Sequence, residues 1–223
     1  MKASDLPIDY NMCEILEHNL EHRADKTALL SEHGTMTFRE VSNQVNQIGN
    51  ALTRLGVRFG ECVAILCPDR PEWVTTFFAT AKIGGVVLGM NTLLTTEEYD
   101  YILKDARVRV LVIHDSLLEL VEPILRNHNI LSKVIVIGAD EVANYTTFND
   151  WIDSEDNKLE FERTHRDDFC SLHYSSGTTG MPKGVMHSHK DYPLIAQLSG
   201  VNLFGLTEND RTFSVAKLFF VYG

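Results

Sequence analysis

An α/β fold, with mainly parallel sheet flanked by helices, is what this sequence predicts, and three observations carry it. First, the runs Cys62–Leu66, 86–88, 108–113 and 134–137 are short, continuous and β-branched, as strands covered on both faces are. Second, helical patterns of ten or more residues lie between them, which implies right-handed crossovers. Third, two capping-box pairs, Thr37 with Glu40 and Thr95 with Glu98, mark where helices begin between strands.

Taken in order, Met12, Ile15, Leu16 and Leu20 recur at helical spacing, so residues 11–23 are expected to form one amphipathic helix. His18 and His22 share a face of it, and without a third ligand nearby they are expected to be solvated. Residues 27–31 and 35–38 flank His33-Gly34 and predict a short hairpin. The helix opened by Thr37 carries the stripe Val41, Val45, Ile48, Leu52 and Leu55, with Gly56 placed for a left-handed C-cap. Pro68 and Pro71 bracket the entry to a helix bearing Trp73, Phe77, Phe78 and Ala81, and Gly84-Gly85 is a helix stop and close-packing point. A helix follows Thr95 to about Ala106, and another spans 117–127. Residues 140–166 are polar and weakly periodic, an expected surface excursion before a strand at 169–174.

Composition narrows the function classes. The 223 residues hold 20 Lys+Arg against 31 Asp+Glu, a net charge of −11, with 44% hydrophobic and 23% charged residues. This acidic, globular balance argues against broad binding of nucleic acid or of anionic lipid. Met1-Lys-Ala-Ser-Asp-Leu-Pro lacks the apolar stretch of a secretory leader. The most apolar windows, such as 83–90, fall well short of the roughly 20 residues a membrane span needs. Cys13, Cys62, Cys67 and Cys170 lack zinc-ligand spacing, and Cys62 and Cys67 are expected on opposite faces of a strand. Reduced, buried thiols in a cytoplasmic protein are expected.

The chemistry is concentrated in Ser175-Ser-Gly-Thr-Thr-Gly-Met-Pro-Lys-Gly184, which has four hydroxyl residues and three glycines in ten positions. Glycines let backbone N–H groups converge on an anion, hydroxyls add donors, and Lys183 adds a mobile charge. The Walker-type loop is excluded, because Gly184 follows Lys183 where that motif has Ser or Thr. No Gly-x-Gly-x-x-Gly dinucleotide fingerprint occurs. His173, His187 and His189 lie close to this loop in sequence, the last two spaced for one strand face. They suit holding the loop or the nucleotide side of a cleft better than binding a metal.

The twelve positions Tyr174-Ser-Ser-Gly-Thr-Thr-Gly-Met-Pro-Lys-Gly-Val185 resemble the signature loop of the adenylate-forming superfamily: acyl- and aryl-CoA synthetases, luciferases and peptide-synthetase adenylation domains. Thr37-Phe-Arg-Glu-Val41, Asp69-Arg-Pro-Glu-Trp73, residues 85–91 and Leu93-Leu-Thr-Thr-Glu-Glu98 fit the amino-terminal portion of that family. The resemblance implies a two-step reaction. A carboxylic acid attacks the α-phosphate of ATP to give an acyl-adenylate and pyrophosphate, and a thiol, usually that of coenzyme A, then displaces AMP. It further implies that Ser175, Ser176, Gly177, Thr178, Thr179, Gly180 and Gly184 hold the ATP phosphates while Lys183 offsets their charge. Mg2+ would accompany ATP; the family's magnesium-binding glutamate belongs to a later motif, so no metal ligand and no certain catalytic residue is assigned within these 223 positions.

Ser214-Val-Ala-Lys-Leu-Phe-Phe-Val-Tyr-Gly223 stands where the family has a motif lining the acyl pocket. Lys217 takes the place of a proline and Phe220 that of a histidine found in many acyl ligases; the version here resembles that of benzoate-type CoA ligases. The resemblance therefore implies a pocket of Phe219, Phe220 and Tyr222 for a benzoate-like aromatic or alicyclic acid, with Lys217 able to steer the carboxylate. The same residues are compatible with a buried strand. Two alternatives remain open: an adenylation module that loads a carrier protein, and a catalytically incompetent fragment that binds nucleotide. The chain is expected to be the amino-terminal portion of a larger adenylation domain, inactive alone and partnered by the remainder of the same enzyme. Residues 1–66 are expected to pack on a subdomain of later chain, leaving Val41, Val45, Ile48 and Leu52 partly exposed.

Overall fold

A computed structural model describes residues 2–175 and 180–220. In chain order its elements are α1 (Glu14–Glu17), α2 (Leu20–Arg23), β1 (Thr27–Ser31), β2 (Gly34–Thr37), α3 (Phe38–Arg54), β3 (Cys62–Leu66), α4 (Pro71–Lys82), β4 (Val86–Gly89), α5 (Thr96–Asp105), β5 (Val108–His114), α6 (Asp115–Leu125) and β6 (Lys133–Ile137). After these come β7 (Thr146–Thr147), α7 (Phe148–Ile152), β8 (Phe169–Ser175), β9 (Lys183–Ser188) and α8 (Asp191–Ile195). A π-helical stretch, Ala196–Leu203, continues α8, and Leu218–Phe220 form one 3-10 turn.

Seven strands form one sheet in the order β7-β6-β5-β3-β4-β8-β9, all pairs parallel except the antiparallel β8–β9 edge. The α/β fold is the one the strand and helix periodicities predict. Alternation along β3 shows how it is held. Val63 and Ile65 face a core with Val45, Ile48 and Leu52 of α3 and Trp73 and Phe77 of α4. Cys62, Ala64 and Leu66 face the other core, with Tyr99 and Ile102 of α5 and Val121 of α6. Cys67 belongs to the first core, so Cys62 and Cys67 do lie on opposite faces. Each fully buried aliphatic side chain contributes about 1.5–3 kcal/mol relative to exposure.

Both capping boxes form. The Thr37 Oγ1 accepts the Glu40 N–H and the Glu40 carboxylate accepts the Thr37 N–H; Thr95 and Glu98 repeat the pattern. Gly56, with φ of 80°, takes the left-handed position after α3.

Four expectations are corrected. Residues 11–23 form two single-turn helices, because the Asn19 side-chain amide donates to the Ile15 carbonyl at 2.8 Å and competes with helix continuation. Residues 140–166 are no mere excursion: they add β7 to the sheet edge and α7, whose Phe148, Trp151 and Ile152 are buried. The chain beyond α7 then crosses α3, where Asn46 and Asn50 amides donate to the carbonyls of Asn157, Asp156 and Lys158 at 2.7–3.0 Å. Val41, Val45, Ile48 and Leu52 are buried, covered by elements of this same chain. Finally, Leu218–Phe220 coil as a 3-10 turn, not a strand.

The first 24 residues are strapped down by polar contacts. Asn11 donates to the Ala81 and Lys82 carbonyls, and Tyr10 N–H to Thr164. The buried Lys82 ammonium bonds Glu17 at 2.8 Å and Asn46 at 2.7 Å. Met12 N–H donates to Nδ1 of the fully buried His189 at 2.9 Å, so this imidazole must be neutral. Burial pushes the His189 pKa down to about 4, against a smaller opposing pull from Asp168.

Two predictions follow from these contacts. Thr37→Ala and Thr95→Ala should each lower unfolding free energy by about 1 kcal/mol in urea denaturation. Between about pH 6.5 and pH 4 the unfolded chain protonates at His189 while the native state does not, so stability is full above this window and is lost as pH falls through it. Urea titrations at pH 7.5 and 5.0 should show His189→Gln losing about 1–2 kcal/mol less over that interval than the unsubstituted protein. Equal losses would contradict the buried neutral state.

Candidate active site

The loop and the cavity beside it follow from strand register. Leu88 and Gly89 of β4 pair with Leu172 and His173 of β8, and β8 pairs with β9 from Phe169↔Ser188 up to Ser175↔Lys183. The hairpin therefore projects its connecting loop from the carboxyl end of β8, where open α/β sheets hold ligands. Ser175 and Lys183 stand opposite one another at its base, both exposed, and Gly184 pairs with Tyr174. Gly180 has φ of 119°, a backbone conformation that side chains rarely adopt. Pro182 is buried at the loop base. Ser176, Gly177, Thr178 and Thr179 lie outside the described residues.

Tyr174 fixes the end of β8 by donating its hydroxyl to Asp105 at the end of α5, at 2.5 Å. Burial, then that acidic partner, pushes its phenol pKa well up, so it remains a donor. Below this contact lies a cavity of about 500 Å3, within the roughly 300–1,000 Å3 typical of small-molecule sites. Ser175 at the end of β8 and Pro182 line it from the loop side, Leu88 of β4, Met90 just after it and Ile102 of α5 from another, and Phe219 and Phe220 from the 3-10 turn. His173, His187, Asp191 and Tyr192 complete a polar stretch of wall.

Phe219 is buried and its ring centroid lies 4.6 Å from that of the half-exposed Phe220. Lys217 is not among the lining residues; its ammonium sits 3.6 Å from Asp69, and the Leu218 N–H donates to the same carboxylate at 3.0 Å. Tyr222 lies outside the described residues. Asp69 thus holds the aromatic wall in place, a role that sequence reasoning missed although it singled out the Asp69–Trp73 segment. Gly89 assists: a Cβ there would come within 2.9 Å of the Trp73 ring and 3.7 Å of the Phe219 backbone.

The three histidines separate. His173 and His187 lie side by side with ring centroids 5.7 Å apart, while His189 turns away to the amino-terminal segment. Among the described residues no group of three His, Cys, Asp or Glu side chains is placed to hold a metal ion, and no helix is long and apolar enough to cross a membrane. The arrangement combines a hydroxyl- and glycine-rich loop carrying a cation with a mostly apolar, aromatic-walled cavity.

Substituting Asp69 tests the anchor. Asp69→Asn should loosen residues 217–220 and weaken binding of any ring-bearing ligand by about tenfold, corresponding to one charge-assisted hydrogen bond of about 1.5 kcal/mol. A titration of ligand fluorescence or heat would measure it.

Comparison with known proteins agrees with this fold. Residues 16–223 match the family model described as AMP-binding enzyme. The chain is 36% identical to a benzoate–CoA ligase of Thauera aromatica over 99% of its own length and 42% of that protein. It superposes on the crystal structure of the anthranilate CoA ligase AuaEII in complex with anthranoyl-AMP with a TM-score of 0.96 and 57% identity, covering 98% of this chain and 42% of the other. A benzoate CoA ligase structure from Burkholderia xenovorans gives a TM-score of 0.85 at 28% identity, over 94% of this chain and 41% of the other. The chain thus spans about two fifths of the length of these relatives, and it belongs to the AMP-binding enzyme family.

Proposed function

We propose that the full-length protein activates an aromatic carboxylic acid with ATP, giving an aryl-adenylate and pyrophosphate, and then forms the coenzyme A thioester with release of AMP. The observation that carries this reading is one cavity lined both by the base of the loop and by Phe219 and Phe220. An acid bound there would set its ring against the phenylalanines, where offset or edge contacts add about 0.5–1.5 kcal/mol beyond burial. Its carboxylate would face the nucleotide side. Similarity to benzoate and anthranilate CoA ligases supports an aromatic acid.

The first step brings an anion to a polyanion, so neutralising charge matters more than covalent catalysis. Ser175, Ser176, Thr178 and Thr179, with the backbone of Gly177, Gly180 and Gly184, are the proposed phosphate donors, and Lys183 the proposed counter-charge. Phe219, Phe220 and Tyr222 are the proposed ring wall, and Lys217 is assigned to the Asp69 anchor. Mg2+ accompanying ATP belongs to the same proposal.

As the amino-terminal portion of a longer adenylation domain, this chain would be covered by the remainder of the protein at β9 and the π-helical stretch. Met186 of β9, Ile195 at the end of α8, Leu198 of the π-helical stretch and Phe204 just after it are exposed large apolar side chains, which a covering surface would bury.

An acid panel on the full-length protein tests the reading. Benzoate-type acids should drive pyrophosphate release and coenzyme A thioester formation better than medium-chain fatty acids, and Lys183→Ala should lower kcat/KM by about 100-fold or more. The 223-residue chain alone should release no acid-dependent pyrophosphate. Preference for fatty acids, or transfer to a carrier protein in place of coenzyme A, would contradict the proposal.

A further inference from the structure

A ring seated against Phe219 and Phe220 leaves its carboxylate to be held, and most polar groups of the cavity wall are already committed. Tyr174 donates to Asp105. The Tyr192 and Ser171 hydroxyls share a hydrogen bond of 2.6 Å, and His173 Nε2 lies 3.1 Å from the same Ser171 oxygen. Lys217 is held by Asp69, outside the lining. His187 sits 3.5 Å from the Asp191 carboxylate and pairs with Ser171, four positions along β9 from Lys183. Four residues of strand span about 13 Å, so His187 stands at the end of the wall away from the loop.

Asn91 differs from all of these. It follows β4, half-buried and lining the cavity. Strand register sets its height: Gly89 pairs with His173, so Asn91, two residues on, comes level with Ser175 at the loop base. The sheet holds the chain up to that point, because the Met90 N–H donates to the Ile65 carbonyl at 2.9 Å. The Asn91 side chain is also held in one orientation. Its Oδ1 accepts the Leu93 N–H at 2.9 Å, closing an Asx turn. Its main-chain carbonyl accepts the hydroxyl of the fully buried Tyr99 at 2.9 Å. The turn identifies which end of the amide is oxygen and leaves Nδ2, with two N–H donors, without a partner among the described residues.

We infer that Asn91 is the carboxylate-positioning residue of this cavity: its Nδ2 donates to the acid oxygen that becomes the acyl carbonyl and leaves the other oxygen free to attack. This rests on the reading that an acid is activated in this cavity. In that step the attacking oxygen bonds to the α-phosphorus, the bond from that phosphorus to the pyrophosphate oxygen breaks, and the amide keeps both its protons. Fixing one carboxylate oxygen aims the other, and such orientation is a large part of what a bound nucleophile gains over a free one.

The test separates the donor from the turn. In Asn91→Asp a carboxylate oxygen still accepts the Leu93 N–H, so the turn is kept, while both donors are lost and a negative charge faces the substrate. Steady-state kinetics of the full-length protein should show KM for its best acid rising at least about tenfold in this variant, with KM for ATP unchanged within about twofold. Asn91→Ser, whose hydroxyl also accepts in such a turn, should raise KM for the acid several-fold in the same selective way, and it carries the test if Asn91→Asp does not fold. An unchanged KM for the acid would overturn the inference, leaving Asn91 to the turn alone. KM values for acid and ATP that rise together would overturn it as well. A preference for fatty acids accompanied by the same Asn91 effect would overturn the aromatic-acid reading and leave this inference standing.

Discussion

A parallel strand buried on both faces must pass its chain to a helix or loop at its carboxyl end, and the site depends on that constraint. β3 presents Val63 and Ile65 to one core and Ala64 and Leu66 to the other, and pairs with β4 and β5 on its two edges, so its backbone is closed to water. Functional groups can then gather only where the strands stop. Asp69 follows β3, Met90 follows β4, and the glycine-rich loop follows β8. Together these ends supply the wall anchor, the cavity floor and the phosphate-binding candidates.

Polar contacts do what the apolar cores cannot, which is to set the register of irregular chain. Asp69 accepts from Leu218 and pairs with Lys217, and Tyr174 ties β8 to α5. Asn46 and Asn50 hold the segment after α7, and His189 with Asn11 holds the amino terminus. Each joins positions distant in sequence, and those of Asn11 and His189 are buried, where an unmade hydrogen bond is costly. These contacts decide where the aromatic turn and the loop-bearing hairpin sit.

The legible part of the fold was the part whose signal is local. Strand runs such as Cys62–Leu66, the Thr37 and Thr95 capping boxes and the Gly56 C-cap are each written within a few residues, and all appear as expected. The broken helix at residues 11–23 was not legible, because the Asn19 side-chain bond to the Ile15 carbonyl decides it. Nor was the course of residues 156–158, whose carbonyls accept from asparagine side chains more than 100 positions away. At the site, the loop was conspicuous from composition, but the placement of Lys217 by Asp69 and the pairing of His173 with His187 required the register of four strands. Residue type marked chemistry; long-range topology decided which groups meet.

The most direct measurement is a crystal structure of the full-length protein grown with ATP and a benzoate-type acid. The account predicts the ring against Phe219 and Phe220, and phosphate oxygens within hydrogen-bonding distance of Lys183 and the loop. A ring bound elsewhere, with this cavity filled by protein side chains or water, would contradict it.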